Sequence, residues 1–429
     1  MTATISQIDR ILQQNNASLA VGLLILYLAY IILRAKFFSA TASIPGDFID
    51  RISSIRLTLS GLQGQKVYFV NKQLKKHGPL VVIAPNSVAT NDSEAIKLVY
   101  SSHKWLKSRF YSNFADFQSN PSLFSELRPK RAQILRKAFL PAFSRVNLTA
   151  MSGHVFDHLY KFLHILDAYE QKGKPLDVYR WFRYLTFEVI RFGGEYDMIS
   201  SGDDDHPFVR DFDDSISWGI LRGFIGPLLD RVPDFMWPTS VKHWSKAPDR
   251  TEAFAADGLN KWRDQKAAGQ TSQRVDILQR LIDHGSRYPE EKLSEGELVT
   301  EMMEIMVAGG DTTAMTVIYG CYELARRPGV QQKLRDALKQ SIPDPSSTVE
   351  LENLESCKYL EWTIKEMLRL HHSLLSFLER VVPESGASIS GYELAPGLVV
   401  SMSALVQHRI ESIFPEPEEF IPESIFNRA

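Results

Sequence analysis

Three kinds of hydrophobic patterning follow one another along the chain. From residue 11 to 33 no side chain carries a charge, and 17–33 reads ASLAVGLLILYLAYIIL. As a helix those residues would be roughly 25 Å long at 1.5 Å per residue, enough to reach across a hydrocarbon core. Arg34 and Lys36 follow at once, so the side after the segment is expected to stay cytosolic. A cleaved signal peptide is the rival, because Ala40-Thr41-Ala42 resembles a small-residue cleavage site. Ser43-Ile44-Pro45-Gly46-Asp47 then reads as a stiff hinge. The segment 65–91, with its VYFV and PLVVIAP runs, predicts two short strands, because β-branched and aromatic residues bounded by Gly, Pro and Asn suit a pleated surface. From 92 to 370 the spacing is helical, interrupted by the acidic loop Ser201-Gly202-Asp203-Asp204-Asp205 and a proline-rich stretch at 226–238. A second strand region is predicted at 379–402. The stretch 218–237, WGILRGFIGPLLDRVPDFMW, is more apolar than a solvated loop. It reads either as core or as a patch dipping into a membrane interface.

Four local constellations carry chemistry. Ser294-Glu295-Gly296-Glu297 matches a capping box and opens an apolar stretch running to Arg327-Pro328, which predicts one helix of about thirty residues. In its middle lies Ala308-Gly309-Gly310-Asp311-Thr312-Thr313. Each interior glycine costs roughly 1 kcal/mol relative to alanine, and Thr312 can bond back to the Ala308 carbonyl, so a local opening is expected there. Such an opening admits a flat cofactor or a diatomic molecule beside an acid and a hydroxyl; close packing of helices at small residues is the other reading. Glu366 and Arg369, at i and i+3 in KYLEWTIKEMLRL, share a helix face. Phe420-Ile421-Pro422-Glu423, after Phe414-Pro415-Glu416-Pro417-Glu418, is a coil pinned by three prolines. The basic turn from Arg131 to Lys137, with Arg136 in it, suits an anionic group or a solvated face.

Composition narrows the classes. With 44% hydrophobic and 23% charged residues the chain is globular, and 49 Lys+Arg against 51 Asp+Glu gives a net charge of −2, with no general pull toward nucleic acid. Two cysteines exclude a disulfide framework; Cys321 and Cys357 lie in helical patterns and read as small buried thiols rather than reactive groups. No GxSxG, GxGxxG, GxxxxGK or HExxH occurs, which removes the hydrolase elbow, the nucleotide loops and the zinc-protease helix.

Taken in order, the apolar segment, the hinge, the basic turn, the AGGDTT helix, the ExxR helix and the FxPE coil resemble the cytochrome P450 monooxygenases, in particular the microsomal type of fungal secondary metabolism. The resemblance implies a mainly α fold with a smaller β region, preceded by one N-terminal transmembrane helix. It divides the chain into a lumenal 1–16, an anchor 17–34, a hinge 35–60 and a catalytic domain 61–429. It implies haem b, electrons from NADPH through a cytochrome P450 reductase, a lipophilic small-molecule substrate, and a single-pass place in the endoplasmic reticulum membrane with the body in the cytosol. Asp311 and Thr312 match the acid and alcohol that deliver protons during turnover. Ala308 and Gly309 would line the groove over the haem face, Arg136 and Arg380 would meet the propionates, and Glu366 with Arg369 would form the buried structural pair. The substrate would sit between Asp311-Thr312, the loop 104–111 and the stretch 218–237.

Three departures are expected to matter. Ala132 stands where the family commonly has Trp or His. Ser424 replaces the arginine of the FxPER coil, leaving Glu366 and Arg369 without their usual third partner. The Phe-x-x-Gly-x-x-x-Cys-x-Gly loop that brings the axial thiolate is expected beyond Ala429, so no metal ligand is assigned within the chain. The alternative function is an inactive membrane-anchored paralogue or fragment that serves as a binding module.

Overall fold

The computed structural model describes residues 19, 22–23, 25–112, 120–190, 198–202, 206–269, 276–344, 349–374 and 377–426. It divides into two compact units: one holds Met1–Leu106 with Ser376–Val406, the other Lys107–Leu375 with Gln407–Ala429.

The first unit contains helices α1 (Phe48–Ile52), α2 (Ile55–Leu62), α3 (Lys66–His77) and α4 (Glu94–Tyr100). Its strands are β1 (Leu80–Ala84), β2 (Ser87–Thr90), β3 (Arg380–Val381), β4 (Ala387–Ile389), β5 (Tyr392–Leu394) and β6 (Val399–Ser401). β1 runs antiparallel to β2 with Val82 opposite Val88, β2 is parallel to β6, and β3 is antiparallel to β6 with Arg380 opposite Val400. β4 and β5 form a hairpin. Its turn, Ser390-Gly391, has both residues at positive φ, the backbone hand that matches strand twist.

The VYFV run expected as a strand is instead the start of α3. Val67, Val70 and Leu74 recur at helical spacing on one face and bury against Val81 and Ile83 of β1. Burial at that period outweighs the strand propensity of Val, Tyr and Phe. β1 is buried at every position because its other face, with Leu80 and Val82, packs on Val99, Leu398 and Val400. The hinge is pinned to this sheet: the Val82 amide donates to the Pro45 carbonyl at 2.8 Å, and a Cβ on Gly46 would stand 2.9 Å from that of Val82. Arg51 donates to the carbonyls of Thr41, Ala42 and Ile44.

The described part of 19–33 is helical, with Leu23, Leu26, Tyr27 and Tyr30 exposed. Among the described residues no helix is long and apolar enough to cross a membrane. Residues 17, 18, 20, 21 and 24 of the expected anchor lie outside them.

The second unit is helical, as expected for 92–370. It contains α5 (Pro129–Phe139), α6 (Arg145–Gln171), α7 (Val178–Ile190), α8 (Pro207–Leu229), α9 (Ala247–Ala267) and α10 (Ile277–Arg287). α11 (Glu295–Met306), α12 (Thr312–Arg326), α13 (Pro328–Ser341) and α14 (Lys358–Leu370) follow. The core gathers on α7, where Trp181, Tyr184 and Phe187 meet Phe208 and Phe212 of α8 and Met302, Met303 and Met306 of α11. Asp203, Asp204 and Asp205 of the acidic loop lie outside the described residues. The stretch 218–237 divides. Trp218 and Leu229 are buried, Phe235 and Met236 are exposed, and α8 leaves helical geometry at Ile225, just before Gly226 and a proline that has no N–H to donate.

Candidate functional site

The capping box forms as its spacing predicts, with the Ser294 hydroxyl and the Glu297 carboxylate each taking the other's backbone N–H. Helical backbone then continues from Glu295 to Arg326 through a π-helical turn at Val307–Asp311. A π turn widens the ladder by one residue. Here the Thr312 hydroxyl donates to the Ala308 carbonyl at 2.5 Å, the back-bond expected from the sequence. Ala308 is exposed, Asp311 and Thr312 are half-buried and Gly310 is buried.

Both readings of the glycine pair have structural content. A Cβ on Gly309 would come within 2.2 Å of Ile190 Cδ1, and one on Gly310 within 2.5 Å of Phe187 Cε1. The glycines therefore let α7 lie directly on the π turn. The opening itself serves the opposite side of the helix, at Ala308 and Thr312.

α7 contributes a residue that sequence reasoning missed. Arg183 is 2% exposed; its Nε stands 2.8 Å from Asp311 Oδ1 in an ion pair, and its Nη1 donates to Asp213 Oδ2 at 3.0 Å. Burial pushes the Asp311 carboxyl above the usual aspartate range even though the Arg183 charge pulls it down. The signal was an arginine inside RWFRYLTFEV, whose neighbours are apolar: a charge on a buried helix face requires partners. A second missed carboxyl is Glu301, 1% exposed on α11, which accepts the Leu123 amide at 2.7 Å. Burial drives it up to about 8, with Glu304 and Glu297 adding to the rise and the Leu123 amide and Lys107 opposing it.

Glu366 and Arg369 form the buried pair the resemblance implies, at 0% and 4% exposure. The guanidinium fork donates Nε to Glu366 Oε2 at 2.7 Å and Nη2 to Oε1 at 2.9 Å. Its remaining donors go to the carbonyls of His408, Pro417 and Glu419 at 3.0, 2.7 and 2.7 Å, which engages all five N–H groups an arginine has. The Ile421 amide donates to Glu366 Oε1 at 2.9 Å. Ser424 stands in place of the usual arginine, and backbone of the 408–421 coil supplies the further hydrogen bonds of the pair. A cavity of about 370 Å³ borders the pair, lined by Phe414, Ile421, Glu423 and Ser424 among others.

In the basic turn, Arg131 pairs with Glu297 and Lys137 with Glu291 at 3.0 Å. Arg136 is exposed and has no ion-pair partner among the described residues. Arg380 belongs to the other unit, where its guanidinium lies 5.1 Å from the centre of the Tyr100 ring and Nη1 donates to the Glu379 carbonyl.

These residues fit a haem in part. Ala308 presents little bulk at the opened turn, and Arg136 offers an unpaired fork of the kind that holds a carboxylate. Neither cysteine suits the axial position. Cys357 is buried at the N-cap of α14. Cys321 is exposed, which corrects the expectation of a buried thiol: the face of α12 that carries it turns away from the core. It stands nine residues past Thr312, about 13 Å along the helix. Among the described residues no cluster of three or more His, Cys, Asp or Glu is placed to hold a metal ion.

The family model described as Cytochrome P450 matches residues 56–424. Among curated relatives, the benzoate 4-monooxygenase bphA of Aspergillus niger is 28% identical over 96% of this chain and 84% of its own length. The cytochrome P450 monooxygenase oblB of Emericella variicolor is 27% identical over 93% and 76%. The cytochrome P450 monooxygenase BipB of Cochliobolus sativus is 24% identical over 95% and 81%.

Proposed function

This chain belongs to the cytochrome P450 family of monooxygenases, and on that premise we propose that it inserts one oxygen atom of dioxygen into a lipophilic secondary-metabolite intermediate of a fungal pathway. Electrons would come from NADPH through a cytochrome P450 reductase. Residues 17–34 would hold the protein in the endoplasmic reticulum membrane with its body in the cytosol, a reading supported by the uncharged run and by Arg34 and Lys36 behind it.

The observation that supports the catalytic reading is the π turn, which presents the Thr312 hydroxyl at Ala308 and, next to it in the chain, Asp311 paired with the buried Arg183 of α7. Haem, when bound, supplies the activation of dioxygen. The proton chemistry falls to the chain. The Thr312 hydroxyl is parked on the Ala308 carbonyl and becomes a donor toward the opening by rotation about χ1. Asp311, raised by burial, holds a proton more readily than an ordinary aspartate, and the Arg183 charge beside it, which pulls the other way, favours release of that proton. Ala308 would leave room beside the Thr312 hydroxyl, and Arg136, exposed on α5, would bind a propionate. Met302, Met303 and Met306 keep water from the core side of the helix.

The test is turnover of the full chain with haem, reductase and NADPH under isotopically labelled dioxygen, offering lipophilic polyketides, terpenoids and alkaloids. A product carrying one labelled atom is expected. Product oxygen drawn only from water would refute the proposal.

A further inference from the structure

Immediately after α14 the chain runs His371-His372-Ser373, and this short segment lies along one face of α12. The Ser373 hydroxyl donates to the Thr312 carbonyl at 2.7 Å and lies 3.1 Å from the Thr316 hydroxyl. The His371 ring stacks on Tyr319, centroids 4.7 Å apart and planes nearly parallel, and its Nε2 meets Glu323 Oε1 at 2.6 Å. Positions 312, 316, 319 and 323 recur at i, i+4, i+7 and i+11, a single helical face. Gly320, on the same helix, lets α14 press close: a Cβ there would stand 2.4 Å from Met367 Sδ.

Thr312 is held from two directions. Its hydroxyl points back to Ala308, while its carbonyl accepts both Ser373 and the Thr316 hydroxyl, the latter at 2.9 Å. A helix carbonyl that takes side-chain hydroxyls tilts off the axis and loosens the ladder, and here the ladder has just been widened by the π turn. Left to itself, residue 312 would drift. Ser373 comes from outside the helix, fixed by the helix that bears Glu366 and Arg369 and by the His371 contacts.

We propose that Ser373 is a positioning residue for Thr312: its hydroxyl anchors the Thr312 carbonyl, so that the Thr312 hydroxyl turns about χ1 while the backbone stays in register. The inference rests on the reading of Thr312 as a proton donor. Ser373→Ala removes one donor while Thr316 still serves the carbonyl, so the fold survives; Ser373→Thr keeps the hydroxyl.

Hydrogen exchange on the full chain reads the anchor directly. Ser373→Ala should raise exchange of the 307–316 amides by roughly three- to tenfold, the size of one neutral hydrogen bond, while α9 stays unchanged and Ser373→Thr matches the parent. In turnover with haem and reductase, the same variant should lose product per NADPH, with the difference appearing as hydrogen peroxide and KM kept within about twofold. Thr312→Val should uncouple in the same way, and adding Ser373→Ala to it should change nothing further. Unchanged exchange at 307–316 in Ser373→Ala, or an additive double variant, overturns the proposal. If Thr312→Val uncouples and Ser373→Ala does not, the positioning role alone fails; if Thr312→Val leaves coupling intact, the proton-donor reading falls and the positioning role with it.

Discussion

Arg369 is the residue on which most of the local geometry converges. Every N–H of its guanidinium has an acceptor, two on Glu366 and three on the carbonyls of the 408–419 coil. Arg369→Ala would orphan those carbonyls and leave Glu366 with one remaining amide donor. Removing one member of a buried pair costs about 3–5 kcal/mol, a loss that equilibrium denaturation of the full chain would read. Lysine at 369 should rescue little, since a point charge cannot reproduce the fork. The two glycines of the π turn separate in a similar way. Gly310→Ala drives a Cβ into the rigid ring of Phe187 and should destabilise by about 1–3 kcal/mol. Gly309→Ala meets only the mobile end of Ile190, and the roughly 1 kcal/mol gained in helix propensity should leave it milder. Melting temperatures of the two variants check the order.

At the scale of elements, α11 carries a buried acid that makes stability depend on pH. Glu301 rises from an ordinary value of 4.5 to about 8 on folding, chiefly through burial. Between those values the folded chain keeps a proton that the unfolded chain has lost. Stability from this group is therefore full below about 4.5 and falls as pH climbs toward 8, at up to about 1.4 kcal/mol per pH unit for one proton. Glu301→Gln keeps an oxygen for the Leu123 amide and has nothing to ionise. Denaturation across this window should show the variant gaining on the parent as pH rises; a constant difference would mean that Glu301 is ionised throughout. Glu304 and Glu297 on the same element deepen the effect, and Lys107 moderates it.

Across the whole molecule, what was legible in the sequence was local. The capping box, the widened turn at AGGDTT and the Thr312 back-bond involve residues within four positions of one another, and they form as the spacing implies. The Glu366–Arg369 pair was legible as a helix face. Its backbone partners were not, because they arrive from 39 to 50 residues downstream. VYFV was misread because a four-residue apolar run fits either period, and only the packing of Val67, Val70 and Leu74 on β1 decides for helix. Arg183 and Ser373 lie on elements remote in sequence from Thr312, 129 and 61 residues away, and meet it or its neighbour Asp311 only through the fold.

The most direct measurement is the fate of electrons in Thr312→Val, which keeps the volume of the side chain and deletes its hydroxyl. With haem, reductase and NADPH, the variant should go on consuming NADPH while oxygenated product falls roughly a hundredfold or more, the low end of the 10²–10⁴ range that a positioned proton donor supplies, and hydrogen peroxide takes its place. An unchanged ratio of product to NADPH would contradict the assignment: the turn at 307–311 would then exist for the packing of Gly309 and Gly310 against α7, and the proton would come from elsewhere.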